Sequence, residues 1–166
     1  MSTSFHCASC GELHGLPFAY GTDAPYYWEP QVEAEGRGTL GEEQCEIDEH
    51  LFVRGRLCVP VLDADEDFEW GVWTTLSPES YLRMSDLWET PGREAEPPFF
   101  GWLSTELPGY EPSTLNLKTS VQIQPVGERP TIALEPTDHP LAVEQREGIT
   151  VERVRRIALE LLHPDE

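Results

Sequence analysis

The sequence predicts an α+β fold with a mainly antiparallel sheet of about five or six strands, and two observations support that prediction. Fifteen Pro and thirteen Gly in 166 residues favour many turns and short elements over a helical bundle. Alternating apolar runs fill the middle of the chain, whereas its end shows the periodicity of a helix. Because this length suits one ordinary domain, we predict a single domain over residues 1–166.

The N-terminal quarter gives the weakest signals of regular structure. Residues 15–44 are rich in Gly, Pro and Glu, a composition typical of an irregular connection. Within it, "APYYWEP" (24–30) places three adjacent aromatic residues between prolines. Such a concentration of apolar surface predicts that these side chains are shielded from solvent.

The first strands are expected near Cys45. The runs "CEID" and "LFVRGRLCVPVL" flank Glu49 and His50, which predicts a β-hairpin. Pairing about these two residues sets Cys45 opposite Arg54, four residues short of Cys58. No disulfide between the two cysteines is therefore expected.

A strand followed by a helix is predicted next. After an acidic turn at residues 63–67, "FEWGVWTTL" (68–76) reads as a strand with Phe68, Trp70, Val72 and Thr74 on one face. "SPESYLRMSDLW" (77–88) predicts a helix, because Ser77 suits the N-cap and Pro78 the first helical position. The tryptophans at 70, 73, 88 and 102 are expected in the core.

The last third of the chain predicts short strands and a closing helix. A short strand is expected in residues 99–110, and the alternating runs at 113–126 and 129–137 predict an antiparallel pair around Gly127. Thr150 is a suitable N-cap for a final helix packed with the first on one sheet face. Its apolar stripe comprises Val151, Val154, Ile157, Ala158, Leu161 and Leu162.

The net charge of −20 restricts the possible partners. Such a charge repels nucleic-acid phosphates and anionic membrane surfaces, so neither is expected as a partner, whereas a basic protein is compatible. No apolar run approaches the ~20 residues that span a bilayer. The N-terminus shows no signal-peptide pattern, and we expect a cytoplasmic protein with reduced thiols.

The stretch "FHCASCGELHG" (5–15) contains half of a zinc-ribbon pattern. Cys7 and Cys10 have the C-x-x-C spacing of a zinc knuckle, and His14 and Cys45 are the candidates to complete a four-ligand structural site. We therefore predict an N-terminal zinc-knuckle-like turn over residues 5–16. A redox thiol pair and free or disulfide-linked cysteines remain alternatives. Cys58, in "LCVPVL", is interpreted as a small apolar residue.

Candidate polar residues outside this stretch centre on "TDHPL". His139 is either a ligand or site residue, with Arg146 nearby, or a turn residue whose imidazole caps backbone groups. No G-x-S-x-G, P-loop, G-x-G-x-x-G or H-E-x-x-H motif occurs in the sequence, and no catalytic residue is assigned.

These observations favour a non-enzymatic protein-binding or interaction module, with an immunity-type, toxin-neutralising role as one concrete form. The acidic surface would engage a protein partner, most naturally a basic one. The alternative is an enzyme of unknown class with a site around His139 and Arg146 or around the pair Cys7 and Cys10.

Several stretches together resemble a known family. They are "CASCGELHGLP", "APYYW", "CEID…FVRG", "FEWGVWTTLS", "FFGWLS…LPGY", "LNLKT", "RPTIALEPTDHPLAVEQREGIT" and the closing helix. The chain resembles domain-of-unknown-function family 2199, a group of uncharacterised bacterial proteins, over nearly its whole length. Cys58 departs from the family pattern, which argues against a site role for it. The resemblance implies a single bacterial domain and brings no activity.

Overall fold

The structure, a computed structural model, describes residues 4–6, 13–15 and 19–162. This part of the chain is α+β, as predicted. Its strands are β1 (Ser4–His6), β2 (Leu13–Gly15), β3 (Ala19–Gly21), β4 (Gly38–Leu40), β5 (Gln44–Ile47), β6 (His50–Val59), β7 (Phe68–Leu76), β8 (Phe99–Trp102), β9 (Lys118–Gln122) and β10 (Thr131–Leu134). Its helices are α1 (Pro30–Ala34), α2 (Pro78–Asp86), α3 (Pro140–Glu147) and α4 (Val151–Leu162), with a 3-10 turn at Arg93–Ala95.

The main sheet is mixed rather than purely antiparallel. Strands β1 and β2 pair separately, and the other eight form one sheet with the main order β3-β7-β6-β10-β9-β8. Because β7 occupies one edge of β6 along residues 51–59, β5 and β10 share the other edge. Most neighbours are antiparallel, but β3 with β7 and β10 with β6 are parallel. Strand β3 has only three residues, and β10 lies far along the chain from β6. No local sequence pattern therefore predicts either parallel pair.

The predicted hairpin forms, with a different register. Its turn is Asp48 and Glu49, and Ile47 pairs with His50. Cys45 therefore lies opposite Phe52, not opposite Arg54 as the sequence suggested. The turn begins one residue earlier than predicted because Asp48 adopts a left-handed φ of 53°, which aspartate tolerates better than most residues. Cys45 and Cys58 are both free.

The predicted strand at residues 68–76 and both predicted helices are confirmed. Strand β7 covers those nine residues. The Ser77 hydroxyl accepts a hydrogen bond from the Ser80 N–H at 3.1 Å, so the α2 N-cap is as predicted. At α4, Thr150 Oγ1 accepts from the Arg153 N–H at 3.2 Å. Helices α1 and α3 were not predicted.

The larger apolar core lies on one face of the sheet. Its members from the two longest strands include Val53, Leu57, Val59, Phe68, Trp70 and Val72. Met84 of α2, Leu141 of α3 and Val154 of α4 belong to the same cluster. Both predicted helices therefore pack on the same sheet face, as expected, and α3 joins them.

A smaller core lies on the opposite face. Because side chains alternate along a strand, Phe52 of β6 and Trp73 of β7 point away from the larger core. They pack with Cys45 and Ile47 of β5 and with Val32 of α1. The aromatic segment at residues 24–30 leads into this second face, since Pro30 begins α1.

The sheet also curls, because β8 approaches β7. Leu103, just after β8, forms an antiparallel bridge with Thr74. Gly101 lies at this contact, where a Cβ would overlap the carbonyl oxygen of Thr75 and lie 2.5 Å from Oγ1 of Thr74. The close approach of the two strands therefore requires glycine at this position.

Within residues 19–162, no helix combines the length and the apolar character that crossing a membrane demands.

Candidate functional site

The predicted zinc site falls mainly outside the described part of the chain. Cys7 and Cys10 lie in the segment 7–12, which connects the paired strands β1 and β2 but is not itself described. His14 is the middle residue of β2. The zinc knuckle therefore stays a prediction from the sequence.

Cys45, the fourth candidate ligand, occupies an apolar environment. Its side chain is 1% exposed and belongs to the smaller core. Burial, reinforced by the nearby Glu46 carboxylate, raises the pKa of the Cys45 thiol to about 11. Zinc binds the thiolate, so this environment disfavours Cys45 as a ligand. Across residues 4–6, 13–15 and 19–162, no three His, Cys, Asp or Glu residues are grouped to hold a metal.

His139 caps a helix, which agrees with the second of its two interpretations. It is the N-cap of α3, and its Nδ1 accepts a hydrogen bond from the Leu141 N–H at 3.1 Å. Because Nδ1 accepts, the ring proton is on Nε2, which donates to the Pro112 carbonyl oxygen at 2.8 Å. Both ring nitrogens are thus engaged by the backbone, and neither faces a ligand.

The neighbours of His139 on α3 also have backbone partners. Arg146 is exposed and donates to the Thr137 carbonyl oxygen at 3.1 Å. The Gln145 amide accepts from the Leu134 N–H at 2.8 Å and donates to the Cys58 carbonyl oxygen at 3.3 Å. The Gln145 side chain therefore links the end of β10 to the end of β6 through hydrogen bonds. The geometry supplies no arrangement of His139 and Arg146 around a shared substrate.

A hydrogen-bonded group of ionisable residues lies partly buried beside α3 and α4. The Tyr110 hydroxyl donates to one Glu144 oxygen at 2.6 Å, and Arg153 Nε donates to the other at 2.7 Å. Burial first, and then the bond to Glu144, raises the pKa of Tyr110. Tyr110 is 34 residues from Glu144, and Glu144 and Arg153 lie on different helices, so no local motif indicates the group. All three satisfy one another, which is the behaviour of a structural network.

A broad cleft of about 850 Å³ opens on the α1 side of the sheet. Five of its lining residues are aromatic and come from the 24–30 segment, β6 and β8. These residues define the aromatic cleft: Tyr26, Tyr27, Trp28, Phe52 and Trp102. Largely apolar concave sites with a few polar groups are the usual form of a binding site.

The backbone of the 24–30 segment fixes one wall of the aromatic cleft. The Tyr26 N–H donates to the Ser104 carbonyl oxygen at 2.8 Å, which ties the segment to the residues after β8. The Trp28 N–H donates to the Pro25 carbonyl oxygen at 3.0 Å and closes a turn. The wall is therefore attached to the main sheet through hydrogen bonds as well as through packing.

Three aromatic residues in the cleft remain open to solvent. Tyr26 is 57% exposed, Tyr27 44% and Trp102 41%. The expectation that the 24–30 aromatics are shielded is therefore wrong for both tyrosines, and the expectation of a core position is wrong for Trp102 and for Trp88. The tyrosine rings pack edge to face at 5.4 Å, so they shield each other only partly.

The polar lining of the cleft contains one ion pair and one carboxylate without a cation. Arg37 donates to both oxygens of Asp48, at 3.1 and 3.0 Å, and this contact lowers the pKa of Asp48. Glu29 accepts a hydrogen bond from the Gln31 side chain at 2.9 Å. Within residues 19–162, no basic group lies within 4 Å of Glu29.

The backbone around the cleft includes two left-handed residues. Asp48, with φ of 53°, and Asn116, with φ of 66°, are the non-glycine residues with positive φ in the described chain, and both line the cleft. Aspartate and asparagine tolerate this conformation best, and such positions cluster at binding sites. The cleft was not predicted from the sequence, although the aromatic run "APYYWEP" was a visible signal of it.

Comparison with known proteins gives a family and no activity. A sequence model of the family described as "Uncharacterized protein conserved in bacteria (DUF2199)" matches residues 6–149. This match confirms the resemblance seen in the sequence, and it includes every residue of the aromatic cleft. No curated protein and no solved structure matches the chain.

Proposed function

We propose that this chain, which belongs to the bacterial family DUF2199, is a non-enzymatic binding module for a protein partner with a basic surface. One observation carries the proposal: the basic side chains are already engaged within the molecule, while the acidic residues outnumber them by 31 to 11. Only an external cation can balance the remaining carboxylates.

Nine of the eleven basic residues have a carboxylate oxygen within 4.0 Å. They are Arg37, Arg54, Arg56, Arg83, Lys118, Arg129, Arg153, Arg155 and Arg156. The other two, Arg93 and Arg146, donate to backbone carbonyl oxygens. The surface therefore offers carboxylates to a partner and few uncommitted cations, which favours a basic partner over an acidic one.

The aromatic cleft supplies the apolar contact area that charge alone does not provide. Aromatic residues dominate the energetics of protein interfaces, and exposed clusters of them mark interaction sites. The exposed rings of Tyr26, Tyr27 and Trp102 are such a cluster. An immunity-type role, in which the basic partner is a toxin, is one form of this proposal.

Affinity capture from a lysate of the source bacterium tests the proposal. The bait is the full chain, and the matched control is the Tyr26→Ala, Trp102→Ala double variant, which has the same net charge. We expect wild type to enrich a basic protein that the control retains poorly. The purified pair should then bind at a fixed ratio, with an affinity that falls as salt rises. Enrichment of the same proteins by both baits, or of acidic proteins only, would contradict the proposal.

The same proposal includes a structural zinc ion held by Cys7, Cys10 and His14. Two thiolates held close together repel each other unless a cation neutralises them, and the C-x-x-C spacing supports a metal knuckle. The buried thiol of Cys45 favours a fourth ligand other than Cys45.

Metal analysis by plasma mass spectrometry, after purification without chelator, tests the zinc proposal. We expect about one zinc per chain in wild type and in Cys45→Ala, and loss of zinc in the Cys7→Ser, Cys10→Ser double variant. A wild-type protein with far less than one zinc per chain would contradict it.

A further inference from the structure

The aromatic cleft contains the groups that recognise a cation with an apolar stem. Its exposed faces belong to Tyr26, Tyr27 and Trp102, and Glu29 is the lining carboxylate that has no basic partner within residues 19–162. A cation is attracted to the face of an aromatic ring, most strongly to tryptophan. A carboxylate at the same site adds direct charge neutralisation.

The chain itself shows that the Trp102 ring accepts a cation. The Lys118 ammonium lies 6.0 Å from the centroid of that ring, although Lys118 is not part of the cleft lining. Lys118 also lies 4.0 Å from Glu135, so its charge already has a carboxylate partner. The cleft side of the tryptophan and the Glu29 carboxylate therefore remain available to an external cation.

The second cleft carboxylate does not compete for the same ligand. Asp48 is held by a two-bond contact with Arg37 at the lining. Because Arg37 and Asp48 neutralise each other, Asp48 attracts an incoming cation less strongly than Glu29 does. The Arg37 charge also acts on Glu29, but no ion-pair contact joins the two within residues 19–162. Glu29 is therefore the lining carboxylate best placed to pair with an external cation.

We infer that the aromatic cleft binds an arginine side chain of an extended basic segment in the partner. The guanidinium would stack on the exposed rings and pair with Glu29, while the methylene stem covers the apolar floor at Phe52. Arginine suits this arrangement better than lysine, because its guanidinium is planar, stacks on aromatic faces and forms paired hydrogen bonds with a carboxylate. This inference rests on the proposed function and specifies the group that the partner presents.

Isothermal titration of the full chain with hexa-arginine, hexa-lysine and hexa-citrulline at low salt tests the inference. Citrulline keeps the shape of arginine without its charge. We expect hexa-arginine to bind more tightly than hexa-lysine, and hexa-citrulline to bind weakly or not at all. Tyr26→Leu and Trp102→Leu should each weaken hexa-arginine binding by roughly tenfold.

Two further variants make the result specific. Glu29→Gln should weaken hexa-arginine binding and reduce its salt dependence, because one carboxylate contact is lost. Phe100→Leu is the matched control: Phe100 is 54% exposed and contacts Trp102 at 5.2 Å between ring centroids, yet does not line the cleft. It should leave the affinity unchanged. Circular dichroism verifies that each variant is folded.

The outcomes separate the inference from the proposed function. Equal affinity of hexa-arginine for wild type, Tyr26→Leu and Trp102→Leu would overturn the inference, since binding would then rest on the acidic surface alone. Equal affinity for hexa-arginine and hexa-lysine would overturn the preference for arginine. Either result is compatible with capture of a basic partner in the lysate experiment. Failure of that capture together with cleft-dependent hexa-arginine binding would contradict the proposed function, while still showing that the aromatic cleft itself prefers arginine.

Discussion

Arg93 is a buried cation whose hydrogen bonds go to backbone oxygens. It follows α2 in the 3-10 turn, and the Trp88 ring lies 5.7 Å from its guanidinium. Its guanidinium donates to the carbonyl oxygens of Gln124, Trp88, Glu128 and Pro125 at 2.7 to 3.2 Å. The side chain thereby joins the end of α2 to the turn between β9 and β10, which no sequence motif indicates.

Replacing Arg93 by lysine should destabilise the fold although the charge is kept. The lysine ammonium lacks the planar set of N–H donors that the arginine guanidinium provides. Several buried carbonyl oxygens therefore lose their hydrogen-bond partner, at a cost of about 1–3 kcal/mol each. We expect the free energy of unfolding in urea to fall by about 3 kcal/mol. Arg146→Lys, at an exposed arginine with one carbonyl partner, should change it by less than about 0.5 kcal/mol. Similar losses in both variants would show that Arg93 has no special role.

The Cys45 thiol should make stability depend on alkaline pH. Its folded-state pKa of about 11 is above the ordinary value, so the fold favours the neutral thiol. The stabilisation is complete below the unfolded pKa of roughly 8.5 and is lost as the pH rises toward the folded pKa. Cys45→Ala should therefore lose less stability than wild type between pH 8.5 and 11 in urea titrations. Burial and Glu69 also raise the pKa of Cys58, but less strongly, so Cys58→Ala should keep more of the wild-type slope than Cys45→Ala does. An unchanged slope in Cys45→Ala would contradict the assignment.

At the scale of elements, the sequence predicted what local signals determine. Strand β7 and helices α2 and α4 have clear periodicity and capping residues, and all three were found. Helix α3 was missed because histidine is not among the usual N-cap residues, although Pro140 and Gly148 mark its ends. The parallel pairs, the exposed tyrosines of the cleft and the contacts of Arg93 depend on segments distant in the chain. They could not be predicted from local patterns.

The contact between β7 and β8 should be sensitive to a single methyl group. Gly101→Ala places a Cβ against Thr75 and the buried hydrogen bond between Thr74 and Thr119, which is 2.8 Å long. We expect a loss of about 1–3 kcal/mol in the free energy of unfolding, the usual cost of overpacking. The control Phe100→Ala, at an exposed neighbour, should cost much less. A stabilised Gly101→Ala would show that the two strands are not held this closely.

At the scale of the whole molecule, the excess of negative charge opposes compaction. The net charge of −20 produces self-repulsion, and salt screens it over a Debye length of about 10 Å at 0.1 M. Salt also weakens the surface ion pairs, but each of them contributes little to stability. The stabilisation from screening the self-repulsion should therefore exceed the loss from weakening the ion pairs.

Added salt should therefore raise the thermal midpoint. Between 20 and 300 mM NaCl we expect a rise of about 2–4 °C, which corresponds to about 1 kcal/mol for a chain of this size. The Asp65→Asn, Asp67→Asn variant, changed at exposed residues of the acidic turn, should show a smaller rise. A midpoint that falls with salt would mean that the ion pairs outweigh the repulsion.

The shared edge of β6 has a consequence for synthesis on the ribosome. Arg56 pairs with Thr131 of β10 on the edge of β6 that faces away from β7, so on this edge the second half of β6 acquires its neighbour only after the chain has been made beyond β10. Until then the nascent protein presents an unpaired strand edge, which is a template for association with other chains. Fragments that end before β10 should therefore aggregate, and correct folding of the whole chain depends on its last third leaving the exit tunnel.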